Sequence, residues 1–277
     1  MPDAQPSTAL PSFAELPHTV LVVEDSPVQA KIISKQIEAL TAFPTLIANT
    51  MEQTEALLAA HAADVFIAVV DLNLPDAPDG EAVDLVMSHG VPCIVLTATF
   101  NDELRQKFLD KRVVDYFFKG SIQDMDPMVS SLERVSKNRL VKVLLVDDSR
   151  MERNYIRSLL KVQNFQVVEA SDGLQALEVL ENNPDVRMII TDYEMPKMDG
   201  FEFIKQVRQR HKKDSVAIIG VSAAGSGALS ALLLKNGAND FLTKPFEAEE
   251  FYCRANQNIE IIDIIEELKV CREAEGS

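Results

Sequence analysis

LVVEDS at residues 21–26 and LLVDDS at residues 144–149 are one phrase written twice: an aliphatic run that ends in two acids and a hydroxyl. Each copy is followed by the same three landmarks in the same order. The first leads to VVDLNLP ending at Pro75, VLTAT ending at Thr99 and DYFFKG ending at Gly120. The second leads to ITDYEMP ending at Pro196, GVSAA ending at Ala224 and DFLTKP ending at Pro245. Asp25 recurs as Asp148, Asp71 as Asp192 and Lys119 as Lys244, displaced by 121 to 125 residues. A displacement that steady over four landmarks means that a whole domain is duplicated.

Outward from these landmarks, each half alternates short apolar runs with amphipathic stretches. Val20–Val23, Thr45–Ala48, Val65–Val70 and Val91–Leu96 are strand-sized, and Val28–Leu40 and Thr54–His61 carry helical spacing. The runs at 65–70 and 91–96 are continuously hydrophobic, as expected of strands buried on both faces of a parallel sheet. The second half repeats this with strands expected at 141–146, 166–168, 188–191, 217–221 and 240–242. Five βα units per half predict an α/β fold with doubly wound parallel sheets and right-handed crossovers. In such folds ligands meet the carboxyl ends of the strands, where the motif residues fall.

The chain has 277 residues, 47% hydrophobic, enough for two domains that each bury a core. A formal charge of −16 argues against a nucleic-acid partner, whose phosphates require clustered Lys and Arg. The longest apolar runs are far short of the roughly twenty residues that span a bilayer, so no membrane partner is expected. Residues 1–18 contain Pro2, Pro6, Pro11 and Pro17 and read as a flexible tail, not an export signal. Cys93, Cys253 and Cys271 have no metal or redox spacing, which suits a reducing, cytoplasmic location. The four histidines are scattered and suggest no ligation.

Carboxylates crowded at one sheet edge repel one another unless some are protonated or a cation lies among them. An all-oxygen cluster open to water is the donor set that Mg2+ prefers. Beside such an ion, Asp71 or Asp192 is a credible nucleophile toward a phosphoryl group, giving an acyl phosphate. The hydroxyl of Thr97 or Ser222 and the ammonium of Lys119 or Lys244 would hold the remaining phosphoryl oxygens. Singly, each element has a plainer reading. Asp25-Ser26 and Asp148-Ser149 are helix-cap pairs, the hydroxyls are strand-end turn residues, the lysines are solvated charges, and Tyr116 and Phe241 are core aromatics. Their recurrence in order, twice, favours the functional reading.

These residues resemble the receiver domains of two-component response regulators, the CheY-like family, over about residues 19–137 and 141–256. The resemblance implies two flavodoxin-like domains, each a five-stranded parallel sheet of order 2-1-3-4-5. It implies that Asp71 and Asp192 are phosphoacceptors. Glu24 with Asp25, and Asp147 with Asp148, would bind Mg2+, with the backbone carbonyls of Asn73 and Glu194 completing each set. Tyr116 and Phe241 match the family's switch aromatic, which turns inward as Thr97 or Ser222 moves toward the phosphoryl group. The implied partner is a sensor histidine kinase or a phosphotransfer protein.

The second copy carries every element of the pattern, including MDG at residues 198–200. The first has Glu24 for the usual Asp, one extra residue between Asp71 and Gly80, and Gly120 where the family has the proline that steadies the loop after the lysine. Glu194 beside the second site is longer and more acidic than Asn73 beside the first, so unequal phosphoryl lifetimes are expected.

The last helical pattern continues past the second domain through residues 257–277, a helical extension. Ile261, Ile265 and Leu268 follow four-then-three spacing and suggest a short seam between two chains. Leu229, Ala231, Leu232, Leu233 and Leu234 make the fourth helix of the second domain apolar on more than one side, so a homodimer is expected through helix 4, strand 5, helix 5 and the C-terminal helix. The final stretch also resembles the connector preceding GGDEF domains in tandem-receiver diguanylate cyclases. No GGDEF motif occurs before Ser277, so the chain as given is not expected to be an enzyme. The two readings are the regulatory part of a diguanylate cyclase and a stand-alone two-receiver connector or phosphate sink. A haloacid dehalogenase-like phosphatase fits poorly, because its paired aspartates lie two residues apart after strand 1. A flavin carrier fits poorly because the loop after strand 1 is acidic where a phosphate cradle is needed.

Overall fold

The computed structural model describes residues 16–99, 101–119, 125–223 and 227–275. The chain divides between Leu140 and Val141 into two units. The first runs β1 (Thr19–Val23), α1 (Pro27–Thr41), β2 (Thr45–Ala48), α2 (Met51–His61), β3 (Val65–Asp71), α3 (Glu81–Ser88), β4 (Cys93–Thr97), α4 (Asp102–Lys111), β5 (Asp115–Phe118) and α5 (Asp126–Asn138). The second runs β6 (Lys142–Val146), α6 (Arg150–Val162), β7 (Gln166–Ala170), α7 (Gly173–Asn182), β8 (Val186–Asp192), α8 (Gly200–Arg210), β9 (Ala217–Ser222), α9 (Gly227–Lys235), β10 (Asp240–Thr243) and α10 (Ala248–Glu275).

Both sheets are parallel throughout, ordered β2-β1-β3-β4-β5 and β7-β6-β8-β9-β10. These are the doubly wound α/β domains that the alternating runs predict, and the strand order is the 2-1-3-4-5 that the resemblance implies. The unbroken hydrophobicity of the central strands follows from helices on both faces. In β3, Ala68 and Val70 join a core with Leu58 of α2, Val83 and Val86 of α3 and Phe108 of α4. Ile67 and Val69 are equally buried on the opposite face. In β8, Ile189 packs with Ala176, Phe203, Ile204 and Leu233 of α7, α8 and α9, while Met188 and Ile190 are buried on the other side.

The first helix of each unit starts where the sequence provides a cap. Ser26 and Ser149 lie in extended backbone, and their hydroxyls accept the amides of Gln29 and Glu152. The buried stripes of α1 (Ala30, Ile33, Ile37) and α6 (Ile156, Leu159, Leu160) then fall on one face.

The last helix, α10, is continuous for 28 residues, about 42 Å at 1.5 Å per residue. Phe251, Tyr252, Ala255, Ile259 and Ile262 bury its inner face. Further along, Arg187 reaches Asp263 and Glu266, each at 2.8 Å, and Asp214 meets Lys269 at 2.8 Å. On α9, Leu233 is buried whereas Leu232 and Leu234 are about two-fifths exposed. The side chain of Leu229 lies outside the described residues.

Candidate functional site

Strand register alone gathers the motif residues. Val23 pairs with Val70, so one step onward Glu24 and Asp71 stand side by side at the carboxyl edge. Thr97, the last residue of β4, pairs with Phe118, which puts Lys119 one step beyond. In the second sheet Val146 pairs with Thr191, placing Asp147 beside Asp192, and Ser222 pairs with Thr243, placing Lys244 next. Residues up to about a hundred positions apart thus meet because each strand ends at the same level.

In the first unit, Lys119 Nζ lies 2.5 Å from Asp71 Oδ2 and 2.7 Å from Glu24 Oε2, with both carboxylates almost wholly buried. Burial pushes the Glu24 carboxyl above its ordinary value, against the pull of Lys119. Burial works to lower the Lys119 ammonium, but its hydrogen bonds to Asp71 and Glu24 outweigh this and raise it. Gly120 lies outside the described residues. Even without a proline at that position, Lys119 reaches both acids.

In the second unit, Lys244 Nζ is 3.0 Å from both Asp147 and Asp192 and also contacts Glu152. Burial lifts the Asp147 carboxyl to about 6 despite the lysine, and raises Asp192 as well. The Lys244 ammonium is raised because its three carboxylate partners overcome its own burial. The peptide bond between Lys244 and Pro245 is cis.

Glu152 is the site residue that the motif comparison missed. Ser149 and Glu152 have the spacing of a capping box, in which the glutamate normally returns to the cap residue's amide. Here Asp147 takes the Ser149 amide at 2.8 Å, which leaves Glu152 to contact Lys244. The corresponding position in the first unit is Gln29, which carries no charge.

Carboxylate oxygens within 4.8 Å of one another come from Glu24, Asp25 and Asp71 in the first unit and from Asp147, Glu152 and Asp192 in the second. Asp148, which the sequence pairs with Asp147, is exposed and is not part of that trio. Three hard oxygen donors, partly open to water, are the donor chemistry of a Mg2+ site, so both clusters fit that ion.

The loops after the central aspartates are fixed from several sides. The Asn73 amide donates to Asp71 Oδ1 at 3.2 Å, and Asp76 accepts the Met51 amide at the start of α2. In the second unit Lys197 reaches Asp172, the cap of α7, at 2.6 Å. Gly200 lies so close to the strand end that a Cβ there would sit 2.3 Å from the Asp192 carbonyl oxygen. Glu194 is exposed. Thr97 is fully buried, and its hydroxyl donates to the Thr99 carbonyl at 2.7 Å, turned onto its own loop. Ser222 is buried at the matching strand end.

Tyr116 is half-buried with its ring 5.3 Å from that of Phe108. Phe241 is also half-buried, beside Gly220, where a Cβ would come within 3.4 Å of its ring. The strand neighbour of Tyr116 is Val95, whereas that of Phe241 is Gly220, so the second aromatic has more room against its sheet.

The model of the response regulator receiver domain matches residues 20–130 and again 143–256. The chain belongs to the response regulator receiver domain family. Each receiver holds an acidic trio and a lysine at the carboxyl edge of its sheet. Similar proteins include the two-component response regulator ORR11 of Oryza sativa, 40% identical over 103 residues, 37% of this chain and 70% of the relative. A chemotaxis protein CheY homolog of Campylobacter jejuni is 39% identical over 107 residues, 38% of this chain and 82% of that protein. Two solved structures described as two-component system response regulator/GGDEF domain proteins extend across both receivers. Each is 37% identical and covers 89% of this chain and 99% of its own, with TM-scores of 0.78 and 0.77. Among the described residues, no helix is long and apolar enough to cross a membrane.

Proposed function

We propose that both receivers accept phosphoryl groups, on Asp192 in the second and Asp71 in the first, from a histidine kinase or a phosphotransfer protein. The observation that carries this reading is the lysine within 3.0 Å of the aspartate at the end of each central strand, inside a cluster of further carboxylates. An Asp192 oxygen attacks phosphorus, the phosphorus–nitrogen bond of the donor phosphohistidine breaks, and the imidazole leaves with the bonding electrons. Lys244 exchanges part of its carboxylate contacts for a phosphoryl oxygen, and the Ser222 hydroxyl closes on another. Lys119 and Thr97 do the same around Asp71, with Thr97 giving up its bond to Thr99.

Mg2+ would be held by Glu24, Asp25, Asp71 and the Asn73 carbonyl in the first receiver. In the second it would be held by Asp147, Asp148, Asp192 and the Glu194 carbonyl, with Glu152 adjoining. When bound, it supplies neutralising charge at the phosphoryl oxygens.

Movement of Thr97 or Ser222 leaves space for Tyr116 or Phe241 to turn inward, which reshapes the face of helix 4, strand 5 and helix 5 in each receiver. In the second receiver that face is α9, β10 and α10, and its change alters how two chains pair. The chain acts in the cytoplasm as the regulatory part of a diguanylate cyclase, with receivers over 19–137 and 141–256 and the helical extension from 257 as connector. Similarity along 89% of the chain to proteins described as response regulator/GGDEF proteins supports this over a stand-alone connector. Sedimentation with and without a small phosphodonor in Mg2+ tests the output: the dimer fraction should change in the wild type and stay constant in Asp192→Ala. A constant fraction in both would refute the coupling.

A further inference from the structure

The outer face of α10 is apolar, exposed and periodic. Ile261, Ile264 and Leu268 are each about half exposed, and Cys271 is exposed and free. Their spacing of three, four and three is that of a and d positions in a two-stranded seam, with Ile261 and Leu268 at a and Ile264 and Cys271 at d. This shifts the seam expected from sequence, because Ile265 is half-buried and stands on its flank.

The opposite face of the helix is already committed to its own receiver. Ile259 and Ile262 are buried there, and Asp263, Glu266 and Lys269 are held in ion pairs by Arg187 and Asp214. Val270, 67% exposed, lies off the seam. Glu260, Glu267 and Arg272 are exposed beside it. In the same heptad frame Glu260 and Glu267 occupy g positions and Arg272 an e position.

We infer that the occupant of this face is a second copy of the chain, laid parallel, with its Cys271 facing Cys271 of the first. A parallel pair sets Glu267 of each helix against Arg272 of the other, five residues along, so opposite charges flank the apolar seam. An antiparallel pair would set Glu260 and Glu267 against the same glutamates of the partner, a like-charge contact. The inference rests on the pairing of two chains proposed above and adds its orientation and register.

The test uses the full chain carrying Cys253→Ser, so that Cys271 is the exposed thiol, oxidised mildly with and without a small phosphodonor in Mg2+. A covalent dimer linked through Cys271 should form, and its yield should fall at least about tenfold in Leu268→Asp, where pairing would bury a charge. Glu267→Lys should lower the yield, and adding Arg272→Glu should restore it, because the exchange rebuilds the parallel charge pair. Unchanged thermal unfolding separates these losses from misfolding. Sedimentation that finds no dimer in any condition would overturn the pairing and the inference together. A dimer without Cys271 linkage, or a charge exchange that fails to rescue, would overturn the parallel seam alone.

Discussion

Replacing Lys244 with methionine keeps the unbranched stem up to the ε position and removes the charged nitrogen that holds the second acidic cluster together. Asp147 and Asp192 are 1% and 8% exposed, and each lies 3.0 Å from the lysine nitrogen. At an effective dielectric constant of about 20, one such contact is worth roughly 5 kcal/mol. Much of that repays the desolvation of the lysine. Removing one partner of a buried pair costs about 3–5 kcal/mol, and the partial exposure of the site favours the lower end, about 3 kcal/mol at pH 8. At pH 5 the loss should shrink to about 1 kcal/mol or less, because Asp147, already raised to about 6, takes a proton in place of the lysine charge. Mg2+ should recover much of the loss at pH 8, because it replaces the missing positive charge. Hydrogen exchange of peptides from β6 and β8 reports on this unit alone. Relative to wild type at the same pH, Lys244→Met should exchange on the order of 100-fold faster at pH 8 and only a few-fold faster at pH 5. Equal acceleration at both pH values, with no response to Mg2+, would show that the lysine acts through packing and not charge.

Two further outcomes follow from the same geometry. Gly200→Ala would press a methyl group to 2.3 Å from the Asp192 carbonyl oxygen and 3.0 Å from the Tyr193 Cα, both backbone atoms. It should cost about 1–3 kcal/mol in urea unfolding and slow phosphorylation, and unaltered stability would contradict the close approach. Asp147, whose folded pKa of about 6 lies above the ordinary carboxylate value of 3.8, adds stability that is complete below about pH 4 and lost as pH rises through 6. Mg2+ requires the ionised form, so in an Asp71→Ala background calorimetry should find affinity for the second site falling as pH drops below about 6. A pH-independent affinity between pH 5 and 7 would refute this.

Much of this was legible in the sequence, for physical reasons. The duplicated order of acids, hydroxyl and lysine reflects strands that all end at one edge, and the apolar runs at Val65–Val70 and Val91–Leu96 follow from burial on both faces. What escaped depends on contacts between distant residues. Glu152 looks like half of a capping box until Asp147 is seen to take the Ser149 amide. Asp148 occupies the position of Asp25, yet Asp25 joins the first carboxylate trio whereas Glu152 takes the third place in the second. The outer face of α10 could not be set by periodicity alone. Arg187, far away in β8, fixes the turn of the helix through Asp263 and Glu266 and so exposes Ile264.

Phosphoryl uptake by the buried aspartates at the ends of β8 and β3 is the step on which the proposed function stands. The most direct measurement is intact mass and peptide mapping after exposure to a small acyl phosphate in Mg2+, for wild type, Asp71→Ala, Asp192→Ala and the double variant. The wild type should gain one or two phosphoryl groups mapping to Asp192 and Asp71, each lost with its own aspartate, and the double variant should gain none. An unmodified wild type, or label that persists in the double variant, would contradict the account.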